Sequence, residues 1–287
     1  MPARSRRLPG IEAEGFAGMD LFNFSEGSLP LLVSMPHSGT HIPPEIAARM
    51  TEAARTLPDT DWHIPQLYDF LSDLDVSIIQ ATHSRYVIDL NRAPDGAALY
   101  AGANNTELCP TSTFDLVPIY RAGEALSEAE VAQRRAAYWQ PYHDRVAEQL
   151  AALKARHGIA LLWDAHSIRS HVPRFFEGRL PDFNLGTAGG AAAAEDLLGI
   201  LTAVAREAEL IGFSHAANGR FKGGYITRNY GDPAAGIHAV QLELSQITYM
   251  DEAPPYAFRE DLAEQVRPVL AGLVQTMLAW AEMEADA

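Results

Sequence analysis

Cysteine is nearly missing from this chain of 287 residues, where Cys109 stands alone. A single thiol cannot form an internal disulfide, and no CxxC pair exists to bind zinc. A reducing, cytoplasmic setting is the natural expectation. Positive charge is scarce as well. Lys and Arg number 22 against 37 Asp and Glu, giving a net charge of -15, which argues against a nucleic-acid partner. An acidic ligand would need locally concentrated arginines to overcome that background. No apolar run approaches the roughly eighteen residues that span a bilayer, so no membrane partner is expected. Arg4, Arg6 and Arg7 lack the apolar core of a signal peptide behind them. The common short motifs are absent too: no H-E-x-x-H, G-x-S-x-G, Walker loop or G-x-G-x-x-G. Any chemistry must therefore come from scattered residues gathered by the fold. Oligomeric state leaves no mark on the sequence.

What is present reads as a globular chain, 47% hydrophobic and 21% charged. Residues 1–19 read as a flexible extension, with Met19 a second possible start, and residues 20–287 as one domain. Leu31–Met35 is a short apolar strand that breaks at Pro36, His37, Ser38 and Gly39. Pro58–Leu74 carries Ile64, Leu67, Leu71 and Leu74 at helical spacing, with Asp59 or Thr60 as its cap. Val76–Ala81 and Arg85–Leu90 read as strands, the second leaving through the turn-rich Asn91–Gly96.

Ser127 with Glu130 forms a capping box. The long helix behind it should kink or split at Pro141 and stop at Gly158. Ile159–Trp163 is a strand, Asp164–Gly190 is loop-rich, and Ala191–Leu210 is a helix. Gly223–Gly231 reads as a strand or turn pair. His238–Leu244 is a strand with Gln241 and Glu243 on the face opposite Val240, Leu242 and Leu244. The last helix, Tyr256–Ala285, is interrupted at Pro268. Alternating strands and helices give an α/β fold, a single three-layer domain with a mixed, mostly parallel sheet.

Ligands of such sheets sit where strands end, and His37 and His166 each close a predicted strand. With an acidic residue they form a three-ligand metal set that leaves one position for water. Asp61 is the candidate, although Asp59 and His63 compete for the role. Glu243 is a candidate for moving protons beside the metal. Two histidines and a carboxylate suit Zn2+ best but also accept other divalent ions. Each residue also has a plain reading: a hydrogen-bonded histidine, a helix-start carboxylate, a solvent-facing glutamate.

Six short stretches stand in order along most of the chain: Leu32–Gly39, Asp59–Trp62, Ser84–Arg92, Trp163–Ser167, Gly223–Thr227 and Gln241–Ser245. Together they resemble the N-formylglutamate deformylase (amidohydrolase) family of histidine degradation. The resemblance implies a fold similar to zinc carboxypeptidases and zinc-dependent cell-wall amidases, a phosphorylase/hydrolase-like architecture. It also implies a metal-dependent amidohydrolase acting on linear amides, with N-formyl-L-glutamate as its small anionic substrate. By that resemblance His37, Asp61 and His166 hold one divalent metal and Glu243 is catalytic. The carboxypeptidase group carries its acidic ligand in a tight H-x-x-E motif, from which Asp61 departs. The two substrate carboxylates call for arginines, with Arg85, Asn91, Arg92 and Arg228 as candidates. Arg85 or Arg92 could instead pair with Asp89 or Asp95. Gly224 would let the backbone approach the ligand closely.

Overall fold

In a computed structural model, which describes residues 19–99 and 104–285, four central strands run parallel through the molecule. The extension before Met19 lies outside the described residues. In chain order the first half contains β1 (Phe22–Ser25), β2 (Leu31–Met35), α1 (Pro44–Ala47), α2 (Glu52–Arg55), α3 (Ile64–Leu67), β3 (Ser77–Ala81) and α4 (Glu128–Arg134). The second half contains α5 (Gln140–His157), β4 (Ala160–Ile168), β5 (Phe183–Gly186), α6 (Glu195–Glu207), β6 (His215–Ala217), α7 (Tyr225–Tyr230), β7 (Ile237–Ser245) and α8 (Glu260–Ala285). The strands form one seven-stranded sheet in the order β1-β3-β2-β4-β7-β5-β6. β3, β2, β4 and β7 are mutually parallel, β5 pairs parallel with β6, and the β1–β3 and β5–β7 pairs are antiparallel.

The alternation of side chains along each strand sorts residues between two cores. One face carries Leu31, Val33, Trp163, Ala165, Val240, Leu242 and Leu244, packed with buried residues of α3, α6 and α8. It is apolar through its middle, with His238 and Ser167 as polar residues near its two ends. The opposite face begins apolar, with Leu32, Leu162 and Ala239 against Tyr142, Val146, Leu150 and Leu153 of α5. Higher up, the same positions become Ser34, Asp164, His166, Gln241 and Glu243, all buried. β4 and β7 stay in register to Ile168 and Ser245, whereas β2 pairs with β4 only as far as Ser34 and Asp164. The upper end of this face is therefore polar, buried and flanked by loops. It positions the site.

Several expected elements take another form. Ile159–Trp163 becomes the nine-residue β4, so His166 lies within a strand and not beyond one. The Pro58–Leu74 helix shrinks to α3 and a 3-10 turn at Asp69–Asp73. Asp59 does not cap it, because its carboxylate accepts bonds from Tyr86 Oη and the Phe114 amide. Arg85–Leu90 is a buried loop rather than a strand. There the Ser84 hydroxyl and Asp89 carboxylate accept the amides of Tyr86 and Asn91, local bonds that compete with a ladder. Gly223–Gly231 contains α7, whose Ile226 amide donates to Asn91 Oδ1 at 2.8 Å. α8 begins at Glu260 and continues through Pro268.

Other features follow the reading. Ser127 Oγ accepts the Glu130 amide, a π-helical turn at Arg135–Trp139 precedes Pro141, and Gly158 ends α5 in the left-handed region. Among the described residues no helix is long and apolar enough to cross a membrane.

Candidate metal centre and active site

His37 follows β2 directly, and its carbonyl accepts the Asp61 amide at 3.1 Å. That bond draws the Asp59–Trp62 turn against the strand end and brings Asp61 opposite β4. Asp61 Oδ2 then lies 3.0 Å from His166 Nδ1 and 3.8 Å from His37 Nδ1, and accepts the Ser167 amide at 3.1 Å. Candidate ligand atoms of His37, Asp61 and His166 all fall within 4.8 Å of one another, and all three residues are buried. The rival ligands point elsewhere. Asp59 faces Tyr86 and Phe114, and His63 Nε2 meets the Tyr256 carbonyl at 2.7 Å. Ser38 turns its hydroxyl back onto the Met35 carbonyl, consistent with a small residue that lets the chain leave the strand.

Behind each histidine stands a carboxylate. Asp89 Oδ1 is 2.7 Å from His37 Nε2, and Asp164 Oδ2 is 3.2 Å from His166 Nε2. Such outer partners fix the tautomer of a metal-binding imidazole. Asp89 also pairs with Arg85 at 2.6 Å, with Arg92 3.9 Å away. Burial alone would raise the Asp89 pKa, but Arg85, His37 and Arg92 outweigh it and hold the carboxyl well below its usual range. Burial and Arg85 lower the pKa of His37, which favours the neutral, ligating form. At His166 burial acts in the same direction, yet Asp164 and Asp61 prevail and raise it.

Charge counting tests the fit of a cation. Asp61, Asp89, Asp164 and Glu243 are all buried, and the arginine buried with them is Arg85. Buried charges need partners, so this cluster has a surplus of negative charge that a divalent ion suits. Two imidazoles and a carboxylate are also a common donor set for such ions. The group could therefore hold a metal ion.

Glu243 is the register partner of His166 on β7. Burial drives its pKa up to about 8, with Asp61 and Asp164 adding to the effect and His166 and Arg85 opposing it. Gln241, one step earlier on the same face, donates Nε2 to Glu243 Oε2 at 3.1 Å. The orientation of that amide is fixed, because its Oε1 accepts the Gly224 amide at 2.6 Å. Glu243 Oε2 is thereby engaged, which leaves Oε1 as its freer oxygen.

These groups line a cleft that opens to solvent. Arg85, Asn91, Arg92 and Gly224 line it with His37, His166 and Glu243. Arg228 does not: it is exposed on α7 and bonds the Gly223 carbonyl. Asp164, Gln241 and Arg220 escaped the reading of the sequence. The signal for the first two was present, since each stands two positions before a chosen residue, polar within an otherwise apolar strand. Arg220 carried no comparable mark.

Comparison with known proteins identifies the family. Residues 29–250 match the N-formylglutamate amidohydrolase family. An N-formylglutamate deformylase of Pseudomonas aeruginosa is 55% identical over 91% of this chain and 97% of its own length. The enzyme of that name from Pseudomonas putida is 52% identical over 91% and 96%. The fold matches the crystal structure of N-formylglutamate amidohydrolase from Ralstonia eutropha with a TM-score of 0.77, at 24% identity over 92% of this chain and 98% of that one. A gene product of Agrobacterium tumefaciens follows with a TM-score of 0.66, at 18% identity over 94% and 97%. Family match, identity and length agree: the chain belongs to the N-formylglutamate amidohydrolase family.

Proposed function

We propose that the chain hydrolyses N-formyl-L-glutamate to formate and L-glutamate, as the last step of a histidine degradation route in the cytoplasm. His37, Asp61 and His166 would hold one divalent ion, zinc by its donor preference. One observation carries the reading: Glu243 pairs in register with His166, beside the convergent His-Asp-His group. The cavity it faces is lined by arginines. The names of the two Pseudomonas relatives supply the substrate.

When bound, the ion would polarise the acyl oxygen, acidify the attacking water and by its charge draw the Glu243 pKa back down. Glu243 accepts the water's proton at Oε1, while Gln241 keeps Oε2 engaged. It then delivers that proton to the departing amine nitrogen. Arg85, held by Asp89, presents positive charge to the oxygen that becomes anionic. Asn91 and Arg92 lie beside the same cluster, placed for the carboxylate next to the scissile nitrogen.

The test is a formate-release assay on wild type and Glu243→Gln, with metal content measured by elemental analysis. We expect formylglutamate to be a better substrate than acetyl- or succinyl-glutamate. The variant should lose about 10²- to 10⁴-fold in kcat and keep the wild-type metal ratio. A better acetyl or succinyl substrate would redirect the reading to another N-acyl amino acid. Retained activity in the variant would remove Glu243 from its role, and no turnover by the metal-loaded wild type would leave a binder of acidic metabolites.

A further inference from the structure

We propose that Arg220 recognises the distal, side-chain carboxylate of the substrate and so sets the preference for a dicarboxylate. This rests on the function proposed above and names a residue it does not include. In a chain of net charge -15, the described residues of the cavity wall include Arg85, Arg92 and Arg220 against the single carboxylate Glu243.

The three arginines are not equivalent. Arg85 and Arg92 both belong to the Asp89 cluster beside His37, at 2.6 and 3.9 Å from that carboxylate. Arg92 is also braced by Thr106, whose carbonyl and hydroxyl accept its Nε and Nη2 at 3.3 and 2.8 Å. Arg220 comes to the cavity from the segment between β6, the strand at the far edge of the sheet, and α7. Its Nε donates to the Phe175 carbonyl at 2.5 Å, which fixes the guanidinium to the loop that follows β4. Its side chain also lies over the Phe221 ring, 5.3 Å from the centroid.

Substrate chemistry divides the labour among them. The α-carboxylate shares a carbon with the scissile nitrogen, so it must lie close to the His37–Asp61–His166 group. That places it with Asn91 and Arg92. The side-chain carboxylate lies three carbon atoms further on and needs a second cation away from the Asp89 cluster. Arg220 is the cavity arginine that meets this requirement. Its anchored Nε orients a guanidinium whose planar fork matches a carboxylate. An amide in place of that carboxylate would keep the shape and lose the charge.

The experiment compares formylglutamate with formylglutamine, on wild type and Arg220→Gln. We expect wild type to prefer the dicarboxylate. The variant should raise KM for formylglutamate about 10- to 100-fold, the loss of a charge-assisted pair, while kcat falls less. Its kcat/KM for formylglutamine should stay within threefold, and Arg220→Lys should recover part of the preference. Equal losses on both substrates, or an unchanged KM for formylglutamate, would overturn the assignment. Calorimetric binding of L-glutamate and L-glutamine to the same proteins repeats the comparison without turnover. If Arg220→Gln weakens glutamate alone but wild type does not hydrolyse formylglutamate, the proposed function fails and the assignment of Arg220 stands. If turnover is as proposed and the variant binds both amino acids like wild type, the assignment alone fails.

Discussion

A histidine that gives one ring nitrogen to a metal must carry its proton on the other, so its outer neighbour decides whether it is ready. His166 points Nδ1 at Asp61, so its Nε2 needs an acceptor. Asn91 supplies no acceptor: its Oδ1 takes the Ile226 amide, and the group it holds 2.9 Å from the same Nε2 is Nδ2, a donor. Asp164 Oδ2, 3.2 Å away, remains. Replacing Asp164 with Asn keeps the volume and weakens the acceptor, and should lower metal affinity about 10- to 100-fold in competition with a chromophoric chelator. The metal-free variant should melt no lower than wild type, since a buried negative charge has been removed. Affinity within threefold of wild type would show that Asp164 does not position the ring. His37, Asp61, His166 and Glu243 stood out in the sequence because resemblance joined four isolated signals, and the fold brings them together. Asp164 was passed over although it stands two positions before His166, because that spacing gains its meaning only once β4 is known to continue past it.

At the level of elements, the short helix α7 shows how one backbone position links several segments. Gly224 precedes it, and a Cβ there would lie 2.5 Å from the Asn91 amide carbon. Asn91 cannot easily yield, being bonded to Ile226 and set against His166. Gly224→Ala should therefore cost roughly 1–3 kcal/mol in stability, as overpacking does, and lower kcat/KM more than tenfold. Gly199 offers the contrast: it is exposed in α6, and a Cβ there would meet nothing within 4 Å. Gly199→Ala should stabilise the protein by up to about 1 kcal/mol with unchanged kinetics. Denaturant titration and steady-state assays decide both, and equal behaviour of the two variants would refute the argument. α7 also marks a limit of sequence reading. Glycines, Tyr225, Ile226 and Thr227 favour a strand or turn locally, and Asn91, far away in sequence, accepts the Ile226 amide and so supplies the helix start. Arg85–Leu90 failed for the complementary reason: its apolar alternation reports burial, while side-chain bonds from Ser84 and Asp89 replace the ladder. The long strand β7 and the capped helix α4 were legible because pattern and tertiary environment agree there.

Over the whole molecule, the polar face of the sheet depends on packing that holds separate segments together, and His143 is the point where three of them meet. Its Nε2 is 2.8 Å from the Leu90 carbonyl and its Nδ1 2.9 Å from Tyr230 Oη, with Trp139 stacked on the ring at 3.7 Å. α5 is thereby tied to the Asp89–Arg92 loop and to α7. Burial lowers the His143 pKa to about 4, although the Leu90 carbonyl, Asp164 and Asp144 oppose it. The folded protein thus holds this ring neutral while the unfolded chain protonates it near 6.5. The unfolded state binds the extra proton, so the contribution to stability is complete above about pH 6.5 and is lost as pH falls toward 4. At pH 5 the loss from this one residue is about 2 kcal/mol relative to pH 8. Urea unfolding of wild type and His143→Gln at pH 8 and pH 5 isolates it, because the other titrating groups are common to both proteins. The variant should be less stable at pH 8 and lose about 2 kcal/mol less than wild type between the two values. Parallel losses in the two proteins would mean that His143 does not carry this share of the acid sensitivity.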